Sequence, residues 1–369
     1  MLKLRRGTVV GTDPLTIEVG GERRRAWADP ALVGEVELGD EVIVNTEALD
    51  LGLGSGGFDV VHVNLTRGLS GPGAAGEHVM KLNYTSLQHP VRPVEAGEGG
   101  EDAVPRPPGA RRRAAGEALA TPVLVIQLHG QLAPAVWAAH QTRPGLRVGF
   151  VQTPGGALPG RLSRDVARLR AEGLLVGHVT AGPCHGGEHE AISVVGGLDA
   201  AAGELGWDAI IAGPGPGILG SASALGHGGT AALDTAHAAL ALGLPTLLAP
   251  RLSSADPRPR HRGLSHHTRV VLELLLAPVR VPVPETETEG WPLLDEAAPE
   301  GGSAEEALAE LIAVTKGRHD LLVRPIDLDG YAASGLPART MGRAIDEDPL
   351  FFAAALAAGG ALADLAEGA

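Results

Sequence analysis

The sequence predicts an α/β protein: a Rossmann-like, doubly wound, mostly parallel sheet preceded by a small antiparallel β-barrel. Three observations carry that expectation. Short apolar runs between residues 123 and 284 alternate with helical patterns, and polar, glycine-bearing loops follow the runs. Before them, roughly the first 70 residues alternate apolar and polar positions in short runs broken by turn residues.

Residues 1–94 read as the barrel domain. Its extended runs are Gly7–Val10, Leu15–Val19, Gly34–Glu37, Asp40–Val44 and Asp59–Val63, with Gly20-Gly21 and Gly39-Asp40 as hairpin punctuation. His78 to Thr85 adds one more extended segment. Residues 95–118 combine glycines interleaved with acids, Pro105-Arg106-Pro107-Pro108 and a basic triplet without hydrophobic period, which predicts a flexible linker.

The α/β domain spans 119–284. Val123–Ile126 leads to His129-Gly130 and a helix over Leu132–Gln141; Arg147–Val151 leads to Thr153-Pro154-Gly155-Gly156 and a helix over Leu162–Ala171. Leu174–Thr180, Ala209–Ala212 and Thr246–Leu248 precede three further loops and helices, ending near Leu205 and covering Thr230–Leu242 and Thr268–Leu275. Parallel neighbours need crossover connections, so this alternation implies a parallel sheet. Pro278–Pro284 offers a sixth strand. Residues 285–369 form an acidic extension with a helix over Ala304–Thr315, the strand-like Leu321–Val323 and a helical end from Pro337, expected to pack on the sheet.

Composition narrows the partners. The net charge is −14, but from Glu285 onward there are seventeen acids against five bases, so the rest is nearly neutral. Four Phe, four Trp and two Tyr supply few stacking platforms. Nucleic acid is therefore not expected as a partner. No apolar run reaches membrane-spanning length and the N-terminus lacks a signal pattern, so no membrane partner and a cytoplasmic location are expected. The single cysteine, Cys184, excludes an intramolecular disulfide framework. A small anionic molecule is the expected ligand, and homo-oligomerisation is left open.

In open α/β sheets the ligand site lies beyond the carboxyl ends of the strands. The third loop there, Gly182 to His189, contains Cys184 and His185. An adjacent imidazolium lowers a thiol's pKa, so the pair could act in catalysis; a small buried cysteine is the plainer alternative. The fourth loop contains Gly215, Gly217 and Gly220 in dinucleotide-fingerprint spacing, with Ser221 and Ser223, and is a candidate ligand cradle. Yet Pro214 and Pro216 remove amide donors, and a tight turn explains the glycines equally well.

The fifth loop is the densest in chemistry. Arg251, Asp256, Arg258, Arg260, His261, Arg262, Ser265, His266 and His267 crowd into seventeen positions. Arginine forks bind carboxylate or phosphate, and histidines at a helix start can move protons or ligate metal. Arg258, Arg260 and Arg262 are the candidate ligand-binding residues; His261, His266, His267 and Asp256 are the catalytic candidates. His129 and His227 rank second. The sequence names neither cofactor nor metal.

Met80-Lys81-Leu82-Asn83-Tyr84-Thr85, Gly213-Pro214-Gly215-Pro216-Gly217-Ile218, Ala255-Asp256-Pro257-Arg258 and His261-Arg262-Gly263-Leu264-Ser265-His266-His267-Thr268 together resemble a bacterial family, domain of unknown function three-eight-six-six. The resemblance covers most of the chain. It implies no activity or catalytic residue. The residues themselves point to an enzyme using histidine and arginine chemistry on a small anionic, for instance phosphorylated, metabolite. A non-catalytic ligand-binding regulator and an assembly protein acting through its barrel are the alternatives.

Overall fold

The structure is a computed structural model that describes all residues except 54, 72, 74–78, 97–120, 286–302 and 368–369. The expected linker therefore lies outside the described residues from 97 onward. The chain divides into two compact units, Met1–Arg92 and Pro93–Ala369.

In the first unit, β1 (Leu4–Thr12), β2 (Leu15–Val19), β3 (Glu22–Trp27), β4 (Glu41–Asn45) and β5 (Asp59–Asn64) close into a barrel in the order β1-β2-β3-β5-β4. Period-two alternation turns Val9, Ile17, Val42, Val44 and Val61 into its core. Gly20 and Gly21, both at positive φ, make the β2–β3 turn. The barrel is antiparallel except at the β3–β5 seam, which is parallel. Gly34–Glu37 is not a strand: Gly34, at φ 78°, ends the short helix Pro30–Val33. A separate ladder pairs β6 (Val79–Lys81) with β7 (His89–Val91).

The second unit is built on β8 (Val123–Val125), β9 (Val148–Thr153), β10 (His178–Ala181), β11 (His189–Ala191), β12 (Ala209–Pro214) and β13 (Thr246–Leu248). Beyond these come the short β14 (Leu252–Ser253) and β15 (Gly263–Leu264), then β16 (Arg280–Pro284) and β17 (Asp320–Arg324). Eight of them form one sheet in the order β11-β10-β9-β12-β8-β13-β16-β17. Every neighbouring pair in it is parallel.

Helices Arg164–Ala171, Leu132–Thr142 and Pro349–Glu367 touch in succession as one layer; Val194–Ala202, Ala231–Ala241, His266–Leu274 and Ala304–Thr315 do so as the other. Both faces of the sheet are thus covered, which is why β8, β9, β10, β12 and β13 are buried throughout instead of alternating.

His189–Ala191, not expected as a strand, adds β11 at one edge; the strand-like Leu321–Val323 becomes part of β17 at the other, so the tail completes the sheet as well as covering it. A two-residue hairpin, β18 (Arg339–Thr340) with β19 (Arg343–Ala344), precedes the last helix.

Among the described residues that last helix alone is long and apolar enough to cross a membrane, yet 89% of Pro349–Ala366 is buried in this unit. It lies against helix Leu132–Thr142 and several strands as the core helix of one layer.

The chain leaves β8 toward β9 but leaves β12 and β13 toward the opposite edge. The strand order therefore reverses around β8. That is the position at which such sheets open a crevice past their carboxyl ends.

Candidate functional site

The segment after β13 folds back on itself. β14 pairs with β15 antiparallel, and the Ser265 amide donates to the Arg251 carbonyl at 3.0 Å, closing the excursion. Its base is tied to the end of β8. The Arg251 amide donates to Thr268 Oγ1 at 2.8 Å, and Thr268 Oγ1 donates to Gln127 Oε1 at 2.6 Å. Gln131 Nε2 donates to the Pro250 carbonyl at 3.0 Å. Ser265 caps the helix His266–Leu274, which places His266 and His267 at its first two positions.

Asp256 is the hub of this loop. It is fully buried at 0% exposure, and Arg258 grips it bidentately at 2.9 and 2.8 Å. Arg251, itself only 2% exposed, reaches Oδ2 at 3.0 Å, and Arg343 approaches it at 3.5 Å. Arg343 also binds Asp348 at 3.0 Å, and Asp348 accepts from Ser253 Oγ at 2.7 Å and the Ser254 amide at 2.9 Å.

Burial alone would raise the Asp256 carboxyl. The hydrogen bonds from Arg258, with the charges of Arg258 and Arg251, override burial and hold it well below the usual carboxylate range. Arg251 is pushed down to about 10 by burial despite that partner. Asp256 thus serves as a counter-ion that shapes the loop, with its oxygens turned to arginines. For the same reason Arg258 spends its fork inside the protein. Arg260 is exposed and pairs with no carboxylate among the described residues.

Four imidazoles gather beside this network. His227 stacks on His267 with centroids 3.8 Å apart and an interplanar angle of 8°. His266 lies 5.0 Å from His227 and 4.4 Å from His267, while His261 lies 4.9 Å from His266 and 4.7 Å from His267. Gly229 permits the stack, because a Cβ there would meet His267 Nδ1 at 2.8 Å and His227 Nδ1 at 3.0 Å.

All four rings are held in the neutral form. Burial, then the neighbouring His227 and Arg251, bring His267 down to about 2. Burial, then Arg251 and Arg258, bring His261 to about 3. Burial is also the main cause of the downward shifts at His227 and His266. The cluster therefore presents lone pairs, not charge, at neutral pH.

Arg260 links the cations to the imidazoles. Its Nε donates to His261 Nε2 at 3.4 Å, and its carbonyl lies 3.3 Å from His266 Nδ1. Arg262 is half-buried and turns its Nε toward the Asp256 carbonyl at 3.4 Å.

The remaining sequence candidates take other places. Cys184 is wholly buried, and His185 is buried with its amide on the Leu158 carbonyl and its carbonyl accepting from Gly160. A thiol with no exposed surface cannot meet a dissolved substrate, so the pair packs the third loop. The Ser221 and Ser223 hydroxyls are engaged locally: Ser221 Oγ donates to the Gly226 carbonyl at 2.8 Å, and Ser223 Oγ accepts from the Gly226 amide at 2.7 Å.

The fourth-loop glycines serve close packing more directly than ligand cradling. A Cβ on Gly215 would lie 2.4 Å from the Ala157 carbonyl, and Gly217 adopts φ 71°. Gly220 bridges antiparallel to His227, which returns that histidine to the cluster. His129, second-ranked from sequence, is buried between the Pro214 carbonyl at 3.1 Å and Ser163 Oγ at 2.6 Å, a packing role.

Sequence reasoning underrated His227, which lies 34 positions before His261 and has no motif of its own. It missed Arg343 and Asp348, which reach Asp256 and Ser253 across 87 and 95 positions.

Two surface cavities lie elsewhere. One of about 340 Å³ includes Leu244, Thr246, Arg280 and Asp320, at the amino ends of β13, β16 and β17. The other, of about 540 Å³, includes Leu308, Ile312, Leu321 and Val323. Neither contains a cluster histidine.

No curated protein and no solved structure matches the chain. A family match extends over residues 25–359 and so takes in the barrel from β3, the whole sheet and every residue of the histidine cluster. The chain belongs to DUF3866, a family described as protein of unknown function.

Proposed function

We propose that the protein is an enzyme that takes a small anionic metabolite into the crevice at the carboxyl ends of β8, β12 and β13. The observation that carries this reading is the position of Arg260. One exposed guanidinium, with no carboxylate partner among the described residues, touches the His261 ring while its own backbone orients His266. An anion held by Arg260, with Arg262 beside it in sequence, would sit next to neutral imidazoles able to accept a proton. His266, half-buried where His261 and His267 are buried, is the imidazole a substrate would reach first. The ligand class is a phosphate or carboxylate of metabolite size, and not a nucleic acid or a membrane surface. A reducing, cytoplasmic setting suits a chain whose single cysteine leaves no intramolecular disulfide.

The test is a thermal-shift titration of the full chain with inorganic phosphate and short dicarboxylates. Wild type is expected to gain stability with ligand, and Arg260→Ala to bind about tenfold or more weakly, as a charge-assisted hydrogen bond contributes about 1.5–3 kcal/mol. For any anion that binds and is turned over, His266→Ala should slow turnover by about 10²–10⁴-fold with binding retained. No stabilisation by any anion in wild type would overturn the reading. Binding without turnover would leave a regulator instead.

A further inference from the structure

The tautomers of the histidine cluster follow from its partners. His227 Nε2 lies 3.0 Å from the Ala224 carbonyl. A carbonyl only accepts, so Nε2 carries the hydrogen and Nδ1 of the neutral ring is bare. That Nδ1 is buried without a hydrogen-bond partner, in a residue 6% exposed. His266 Nδ1 faces the Arg260 carbonyl, so its hydrogen is there and Nε2 holds the lone pair. His267 Nδ1 faces Arg251 Nη1 at 3.4 Å; a guanidinium only donates, so this nitrogen carries no hydrogen and accepts from Arg251. One nitrogen from each of His227, His266 and His267 lies within 4.8 Å of the other two.

Buried polar groups are almost always satisfied, and a lone pair left bare in the interior is unfavourable. A second-row arrangement is already in place: two of the three rings donate their other N–H to backbone carbonyls, which fixes ring orientation as it does for metal-bound histidines.

We propose that His227, His266 and His267 form a binding site for a divalent transition-metal ion of the zinc class. Three imidazoles and no oxygen ligand favour zinc, cobalt or nickel over magnesium or calcium. Tetrahedral zinc with bonds of about 2.0–2.1 Å holds its ligand nitrogens about 3.3 Å apart, so nitrogens within 4.8 Å of one another need to close by up to about 1.5 Å, and the stacked His227 and His267 rings must turn so that both lone pairs point at one ion. His266 is only half-buried, at the first turn of its helix. Three protein ligands leave a fourth position for water or a substrate oxygen, as in catalytic zinc sites. Arg251, whose charge is offset by Asp256, would then shift from His267 Nδ1 or leave that ring to bind through its other nitrogen.

Any catalytic use of this site rests on the function proposed above, and with a metal bound His266 Nε2 would be a ligand and no longer the proton acceptor. As a metal site it is tested without any substrate. The full chain is stripped with a chelator, dialysed, and titrated with cobalt(II) chloride while the visible ligand-field absorption is recorded; zinc chloride then competes for the site. Wild type is expected to bind one cobalt per chain with a four- or five-coordinate spectrum. His227→Ala and His266→Gln should each weaken binding by about 100-fold or more, a loss at least as large as that of a group one shell out. His62→Ala, in the barrel, should match wild type. Circular dichroism identifies any variant that fails to fold, and His266→Gln, at a half-buried site, keeps the test available if His227→Ala unfolds.

The proposal is overturned if stripped wild type shows no ligand-field band, or if folded His266→Gln binds cobalt as tightly as wild type. Phosphate stabilisation of the metal-free protein, and its loss in Arg260→Ala, separates the two readings. If phosphate binds but cobalt does not, the anion site stands without the metal; if cobalt binds but no anion does, the metal site stands without the function proposed above.

Discussion

Asp256→Ala is expected to destabilise the α/β unit by about 3–5 kcal/mol, the size of effect seen when one member of a buried ion pair is removed. The reason is local. Arg251 is almost completely buried, Arg343 is largely so, and both direct an Nη2 at Asp256 Oδ2. Without that carboxylate a buried guanidinium loses its counter-charge, and the loop from Arg251 to Leu264 loses its hub. At roughly 2–4 °C per kcal/mol for a large domain, the melting temperature should fall by about 10 °C. A loss under about 1 kcal/mol by urea denaturation would show that Asp256 does not organise the loop.

The same carboxylate has a pH signature. Its folded pKa lies below the unfolded value, so it binds a proton more readily in the unfolded chain. Its stabilisation is fully present well above the unfolded value of about 3.9 and is lost progressively as pH falls through that value toward the depressed folded one. Asp256→Asn should therefore be less stable at neutral pH and show a flatter acid limb. Parallel acid limbs in the two proteins would contradict this account.

Gly359→Leu is expected to be comparably severe, at about 3 kcal/mol or more, for a steric reason. A Cβ at Gly359 would lie 2.0 Å from the Ala135 carbonyl oxygen, 2.7 Å from its carbon and 2.8 Å from its Cα. These are backbone atoms of helix Leu132–Thr142, so no side chain can rotate away. The last helix must move outward, which uncovers Leu350, Phe351, Phe352 and Leu356 from the core. Soluble yield and melting temperature report the effect. A variant within about 1 kcal/mol of wild type would mean that the helix crossing is adjustable and not set by backbone contact.

Much of the fold was legible because its signals are local. Val123–Ile126, Ala209–Ala212 and Thr246–Leu248 are short apolar runs followed by glycine and polar residues, and that is enough to mark buried parallel strands. His189–Ala191 was not legible: three residues with two polar members carry no apolar run, and only pairing with β10 makes them a strand. Gly34–Glu37 alternates like a strand but ends a helical turn, since the preceding Asp29-Pro30 caps that turn through the Asp29 side chain.

The site divides in the same way. His261, His266 and His267 were visible because they crowd one loop after a strand. Asp256 stood out for the same reason, but its task did not, since charge density cannot say whether a carboxylate faces solvent or three arginines. Cys184 beside His185 suggested a nucleophile until its burial placed it in packing.

The order of residues by itself determined the alternation of strand, loop and helix, and with it the end of the sheet where polar groups collect. Backbone propensity and side-chain periodicity act over a few residues, so the chain states them directly. Only the tertiary structure decided which imidazoles meet. His227 reaches His267 because Gly220 bridges back to it and Gly229 leaves room for the stack, and Arg343 reaches Asp256 because the tail returns to the sheet. Those contacts join positions far apart in the chain, and their burial sets the charge state of every group they bring together.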